Sequence, residues 1–281
     1  MKFWMRQASI QIGSKRYSMD ELYFEFDVPF EDSDTLQTAT FKLYNLSEST
    51  RKAIRRDDVV ILNAGYRDDV GVLFVGRLSS CKHEHSRADW ITTITATAAM
   101  EAWLSKKVYK TYSAGSTAQD IVSDLLNIFG IEIGELSLKV NKTYDRGLVC
   151  NGKVQEILRR IVVDDCKSRF LIKNDVIIIN DPSTGQNNGV LLSPESGLLL
   201  TSNEVQETVI AAGTESSASE EQLNEDGNFV SCECLLNYHI GAAEQIMVQS
   251  KTLNGKYLVA KGSHKGSPKG DWKTSLELQA L

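Results

Sequence analysis

Three residues with metal-ligating chemistry stand at alternate positions: Cys81, His83 and His85. On a β-strand that spacing places all three on one face. Sulfur and imidazole together suit zinc or another transition metal. Strand residues two apart are about 7 Å apart, too far for one tetrahedral ion unless the strand bends. Lys82 and Glu84 interleave and Ser86-Arg87 follow, so the segment reads as a solvated hairpin end that binds no metal. Cys232 and Cys234 repeat the alternate spacing without a Cys-x-x-Cys separation, and read as small buried hydrophobes. With Cys150 and Cys166 the cysteines number five, an odd count without a spaced framework, as expected of reduced thiols.

Ser263, His264 and Asp271 lie close in sequence and invite a triad reading. A triad is defined by geometry, and the chain has no Gly-x-Ser-x-Gly elbow, so His264 reads as a turn residue between two strands. Asp164-Asp165 and Asp57-Asp58 are adjacent carboxylates. Helical neighbours point about 100° apart, so the first pair is no acid/base dyad, and the second reads as a turn before a strand. A P-loop, a dinucleotide fingerprint and a His-Glu-x-x-His motif are all missing from the sequence. No catalytic, cofactor-binding or metal-binding residue is assigned, and the chain reads as a non-enzyme.

The elements around these residues are mostly strands. Leu22, Phe24, Phe26 and Val28 alternate with Glu21, Tyr23, Glu25 and Asp27, the pattern of a half-buried strand. Ala39, Phe41 and Leu43 repeat it. A short helix is expected after Ser47, its N-cap, ending near Arg56. Strands resume at Asp58–Ala64, Gly71–Glu84 and Trp90–Glu101, rich in Val, Thr and Ile. The middle changes period. Ala118, Ile121, Val122, Leu125, Leu126 and Phe129 follow helical spacing, with Ser116 as expected cap and Gly130 as stop. Val154, Ile157, Leu158, Ile161 and Val162 mark a second helix, and Arg169–Lys173 with Val176–Asn180 a hairpin across Asn174-Asp175. From Pro182 strands return, at Phe229–Leu236, Gln245–Ser250, Lys256–Lys261 and Trp272–Ala280.

The 281 residues suggest two or three domains, at roughly 100–200 residues each. A content of 42% hydrophobic and 24% charged residues is that of a globular chain. No apolar run approaches the ~18 residues that span a bilayer, and the start has no secretory pattern. The net charge of −6 argues against a protein that wraps nucleic acid. The acidic excess belongs to residues 183–281, with 12 acidic against 6 basic groups. There, the segment 203–228 carries seven carboxylates and no Lys or Arg, and its centre reads as a mobile loop. The expected fold class is α+β, mainly β: β domains at 1–104 and 183–281, with a small α/β domain inserted at 105–182.

The order of these segments resembles the phage tail baseplate hub family, also called late control protein D or 43-kDa tail protein. Three stretches carry the likeness. Asp58-Val59-Val60-Ile61-Leu62 with Gly65-Tyr66 and Leu73-Phe74-Val75-Gly76-Arg77-Leu78 is similar to a run in the family's first barrel. Tyr112-Ser113-Ala114-Gly115-Ser116-Thr117 with Asp120-Ile121 resembles the start of its inserted domain. Leu235-Leu236-Asn237, Asn254-Gly255-Lys256-Tyr257-Leu258-Val259, His264-Lys265-Gly266 and Trp272-Lys273-Thr274 follow the order of its closing barrel. Two features depart from the pattern: the length of 203–228, and Tyr238-His239 where a Pro often follows Leu-Asn.

The resemblance implies two tail-tube-like β-barrel domains per chain and a homotrimeric ring at the distal end of the tail tube. Three chains then present six barrels, so a threefold object meets a sixfold tube. The implied partners are the tail tube or tube-initiator protein on one side and a trimeric spike or central fibre on the other. DNA would pass without specific binding, there would be no membrane insertion, and the location would be the virion tail baseplate, assembled in the host cytoplasm. A tail-associated peptidoglycan hydrolase or peptidase is the alternative, but the chain leaves no room for a lytic domain after its second β region. A carbohydrate- or host-binding module would favour exposed aromatic clusters in loops, whereas Trp4, Trp90, Trp103 and Trp272 sit in or beside expected strands.

Overall fold

Alternating apolar residues build the first half of the molecule. The computed structural model describes residues 4–33, 35–98, 106–130, 132–173, 176–183, 185–203 and 229–281. Strands β1 (Arg6–Ile12) and β2 (Lys15–Ser18) form a hairpin turned at Gly13, whose φ of 57° suits glycine. Strand β3 (Phe24–Glu31) buries Phe24, Phe26, Val28 and Phe30, and β4 (Thr38–Tyr44) buries Ala39, Phe41 and Leu43. Helix α1 (Glu48–Ala53) starts where expected: the Ser47 hydroxyl accepts the Thr50 amide at 3.2 Å. Strands β5 (Val59–Tyr66), β6 (Asp69–Ser86) and β7 (Asp89–Thr97) complete this half. Trp103 and the last residues of the expected strand Trp90–Glu101 lie outside the described residues.

The middle of the chain begins with β8 (Lys107–Tyr112), β9 (Ser116–Thr117) and α2 (Ala118–Phe129). Thr117, and not Ser116, caps α2, because its hydroxyl is the one that accepts the Asp120 amide, at 3.3 Å. Gly130, with φ 70°, ends the helix. Then come β10 (Glu132–Leu136), β11 (Thr143–Tyr144), β12 (Leu148–Lys153) and α3 (Val154–Arg159), which runs on as a π-helical segment, Arg160–Asp165. Strands β13 (Arg169–Lys173) and β14 (Val176–Asn180) pair as expected, while Asn174-Asp175 falls outside the described residues. Both faces of this pair are covered. Phe170, Ile172, Ile177 and Ile179 join the core of the middle region, and Leu171 and Ile178 join that of the last third. That explains the unbroken apolar runs in these strands.

The last third supplies β15 (Gln186–Leu192), β16 (Leu198–Asn203), β17 (Phe229–Leu235), β18 (Glu244–Gln249), β19 (Asn254–Gly266) and β20 (Trp272–Ala280). Beyond Asn203 the expected acidic loop lies outside the described residues. His264 is not in a turn, as its Gly-Ser-Lys-Gly surroundings suggest. It lies inside β19 and is buried.

The chain is mostly β, and among the described residues 13 strands share one sheet. Its path is β16-β17-β20-β19-β3-β4-β7-β6-β5-β1-β2, with β18 on β19 and β15 on β18. Among the described residues no barrel closes, because β3 of the first half pairs with β19 of the second and merges the two. The order within that path repeats. Setting β2 aside, the first half reads β3-β4-β7-β6-β5-β1 and the second β16-β17-β20-β19-β18-β15. Those strands follow one another in the chain in the same sequence. All neighbours within each half are antiparallel except β15 and β18, which are parallel where β1 and β5 are antiparallel. The long strand of each half carries a one-residue bulge against the last strand, at Ser79 in β6 and at Ala260 in β19.

Candidate functional site

The bulges align the two halves residue by residue. At the first, the Asp57 amide donates to the Leu78 carbonyl at 3.0 Å; at the second, the Ala243 amide donates to the Val259 carbonyl at 2.9 Å. Asp57 and Ala243 are both left-handed, with φ 67° and 61°. Counting on from the bulges, Cys81, His83 and His85 occupy the positions of Gly262, His264 and Gly266. Each histidine stands opposite a threonine on the last strand: His83 Nδ1 lies 3.1 Å from Thr92 Oγ1, and His264 Nδ1 lies 2.8 Å from Thr274 Oγ1. Trp90 and Trp272 stand two residues before those threonines.

One of these places is filled. Beyond the bulge, β19 pairs on its other side with β3, His264 opposite Val28 and Gly266 opposite Phe26. A Cβ on Gly266 would overlap the Phe26 ring, and one on Gly262 the Phe30 ring, so glycine here serves close packing and not turning. The Phe30 ring lies 4.7 Å from that of His264, and Phe26 meets Trp272 edge-on at 5.6 Å. Both His264 and Trp272 are 3% exposed. Burial pushes the His264 pKa down to about 3 and the charge of Lys173 adds to this, against a hydrogen bond with the Ile240 backbone.

The other place is open. Pairing of β6 with β5 stops at Arg77, and among the described residues nothing continues that edge beyond Leu78. His83 and His85 are exposed, and Trp90 is 41% exposed with the Arg51 guanidinium 4.0 Å above it. Strand β16, at the far end of the sheet, pairs among the described residues with β17 alone and presents Leu199 and Leu200 at 50% and 64% exposure.

The outward face that joins these edges is polar and cross-linked. Lys273 reaches Glu233 at 2.8 Å, Lys261 reaches Glu277 at 2.9 Å, and Lys265 reaches Asp27 at 3.1 Å across the junction of the two halves. Glu25, Glu31, Lys42, Lys82 and Glu84 alternate outward on the same face. Carboxylates and lysines therefore nearly balance there.

The other sequence candidates fall elsewhere. Cys81 and His83 do share a face, Sγ to Nε2 3.7 Å, but among the described residues no three His, Cys, Asp or Glu side chains group as metal ligands. Cys232 and Cys234 are buried core residues, and burial raises both thiols, Cys232 to about 12. Ser263 alternates to the polar face, away from His264, and Asp271 is exposed, so no triad forms. Asp58 accepts the Arg55 amide at 2.8 Å, in the turn expected of it. Burial opposes ionisation of Asp165, but hydrogen bonds from Lys142 and Tyr144 outweigh it and lower the carboxyl below its usual range. A cavity of about 570 Å³ beside the junction is lined by Phe30, Leu171, Lys173, Tyr238 and His264 among others. At its wall Lys173 pairs with Glu244, and Tyr238 donates to Asp69 at 2.6 Å.

No protein-family model and no curated sequence matches this chain. Solved structures do. A tail protein from Neisseria meningitidis MC58 superposes with a TM-score of 0.66 at 8% identity, over 98% of this chain and 97% of that one. The 43 kDa tail protein of prophage MuSo2 from Shewanella oneidensis gives 0.68 at 8% identity, over 98% of both chains. The E. coli c3393 protein gives 0.62 at 10% identity, over 97% of this chain and 76% of that one. It is described as a component of the type VI secretion system with structural similarity to T4 bacteriophage tail proteins gp27 and gp5. The chain thus has the fold of phage tail and baseplate-like structural proteins, as its sequence resemblance implied.

Proposed function

We propose that this chain is the structural hub of a phage tail baseplate, a homotrimeric ring that joins a sixfold tail tube to a threefold spike. One observation carries the reading: the same strand order, with the same bulge, occurs twice along one chain. Three such chains offer six equivalent sheet units, so a threefold ring carries pseudo-sixfold symmetry. The units are residues 1–104 and 183–281, each a tube-like domain, with 105–182 inserted between them. Tube or tube-initiator protein binds one side of the ring and the spike or central fibre the other, in the virion tail.

The polar face of the long sheet is the proposed channel wall. A basic wall would release counterions from DNA phosphates and hold the duplex. This face has lysines already paired to carboxylates and nearly balanced charge, which suits passage without binding. Its acidity is weaker than the composition of the last third suggests. The segment 204–228, whose seven carboxylates account for that whole excess, lies outside the described residues.

Native mass measurement with negative-stain imaging tests the assembly. The expected result is a ring with the mass of three chains, for the chain alone or on its spike partner. A closed dimer, or a ring of six identical chains in the particle, overturns it.

A further inference from the structure

We propose that the open edge of β6 is completed by β16 of a second copy of this chain. The strands pair antiparallel, with His83 opposite Asn203, Glu84 opposite Ser202 and His85 opposite Thr201. This rests on the ring reading above and adds the identity and register of its interface.

The junction of β3 with β19 is the template. The bulges equate β6 with β19. The ladders β3–β4 and β16–β17 then equate Phe26 with Thr201 and Asp27 with Ser202. Transferring the observed pairs Gly266–Phe26 and Lys265–Asp27 gives His85–Thr201 and Glu84–Ser202 without further choice. Side-chain volume agrees. At the filled junction a glycine faces a phenylalanine; at the open edge a histidine would face a threonine, so the bulk moves from one strand to the other. Exposure agrees as well. His264 and Trp272 are buried because β3 lies over them, and their counterparts His83 and Trp90 are exposed because, among the described residues, no strand does so there. The exposed Leu199 and Leu200 lie on the strand that would arrive.

Among the described residues the two edges do not pair within one chain. Seven strand spacings separate β16 from β6 in the sheet, roughly 34 Å along a flat path. The contact is head-to-tail, and contacts of that kind close into a ring when the rotation allows.

Disulfide trapping tests the register, in a Cys81→Ser background with the four remaining cysteines buried. Two double variants are made, His83→Cys with Asn203→Cys and Glu84→Cys with Ser202→Cys. Adjacent antiparallel pairs alternate between wide and close spacing, so one of the two has the geometry for a bond. Circular dichroism of the reduced variants matching wild type shows that the fold is kept. After slow air oxidation of concentrated protein, the in-register pair is expected to yield covalent trimers, with both cysteines in one cross-linked peptide. A shifted control, Glu84→Cys with Leu200→Cys, is expected to link little. A native trimer that links only through the shifted pair, or through none, overturns the register and leaves the ring standing. A dimer closed by two reciprocal bonds overturns the ring itself. A chain that stays monomeric and unlinked at its highest soluble concentration, both alone and on its spike partner, overturns both.

Discussion

The two histidine–threonine pairs occupy the same place in two halves of one sheet, and their surroundings differ. Around His264 the sheet continues: β3 covers the edge, Phe30 lies against the ring, and Trp272 is buried beneath Phe26. Around His83, among the described residues, no strand continues the sheet, and Trp90 lies against Arg51 and the edge of His85, 5.2 Å away. The difference lies in what covers each edge, since the local backbone is the same down to the left-handed residue beside the bulge. A filled edge shows what an open one lacks.

The largest effect belongs to Arg169. It is 3% exposed, with Nε 2.8 Å from the Asp32 carboxylate, and it also donates to Asn180 and to the Pro182 carbonyl. The Asp32 amide donates to the carbonyl of Ala260, the bulge residue, at 2.7 Å, so Arg169 pins the point where β3 meets the β19 bulge. Removing one partner of a buried ion pair leaves an uncompensated charge and costs about 3–5 kcal/mol. Arg169→Met should lower the urea midpoint accordingly. A loss under about 1 kcal/mol, the worth of an exposed pair, would show that the pin is dispensable.

Next comes the filled edge against the open one. Gly266→Val drives a side chain into the Phe26 ring and should destabilise by about 1–3 kcal/mol. His85→Val, at the equivalent open position, should change the stability of the isolated chain by no more than about 0.5 kcal/mol. Equal effects in urea unfolding would mean that the two edges are not counterparts.

This glycine also marks how far the sequence could be read. Strands with clean alternation, such as Phe24 to Val28 and Trp272 to Ala280, were legible because one face is buried and the other is wet. Gly262-Ser263-His264-Lys265-Gly266 reads as a turn from composition alone, yet its glycines make room for two phenylalanine rings from a strand more than two hundred residues away. Local sequence holds no record of that neighbour. The β1–β2 hairpin leaves little mark in the sequence because Ala8, Ile10 and Ile12 are a faint stripe among Ser and Gln. The duplication is hidden for a related reason: Phe41 and Leu43 in one half correspond to Cys232 and Cys234 in the other, so packing is kept while residues are not. One signal was present. His83 followed by Trp90-Ile91-Thr92 and His264 followed by Trp272-Lys273-Thr274 repeat a His…Trp-x-Thr pattern, and in both halves the structure joins that His to that Thr.

A pH series separates the filled edge from its surroundings. His264 is held neutral in the folded chain, with its pKa pushed from about 6.5 to about 3, chiefly by burial. The unfolded chain therefore binds a proton that the folded chain refuses at any pH between those values. Stability from this site is complete above about pH 6.5 and falls as pH drops toward 3, by at most about 1.4 kcal/mol per pH unit. His264→Phe cannot take up the proton, so its urea midpoint should fall less steeply between pH 6.5 and 5 than that of the wild type. Identical slopes would mean that His264 is charged or open to solvent in the folded state.

The smallest effect is expected on the polar face of the same junction. Lys265 and Asp27 stand directly opposite each other on β19 and β3, with 3.1 Å between charged atoms. Their side chains are 44% and 46% exposed, so water screens the attraction and ordering two flexible chains offsets much of it. The backbone ladder and the buried rings hold the two halves together, and this pair decorates a seam already made. Lys265→Met should cost no more than about 1 kcal/mol. That cost should shrink further in 1 M salt, where the screening length falls to about 3 Å. A loss of several kcal/mol that persists in high salt would reverse the reading: the join between the halves would then depend on this pair, and the open edge of β6, which carries Glu84 at the position of Lys265, would need a matching charge from its partner to close.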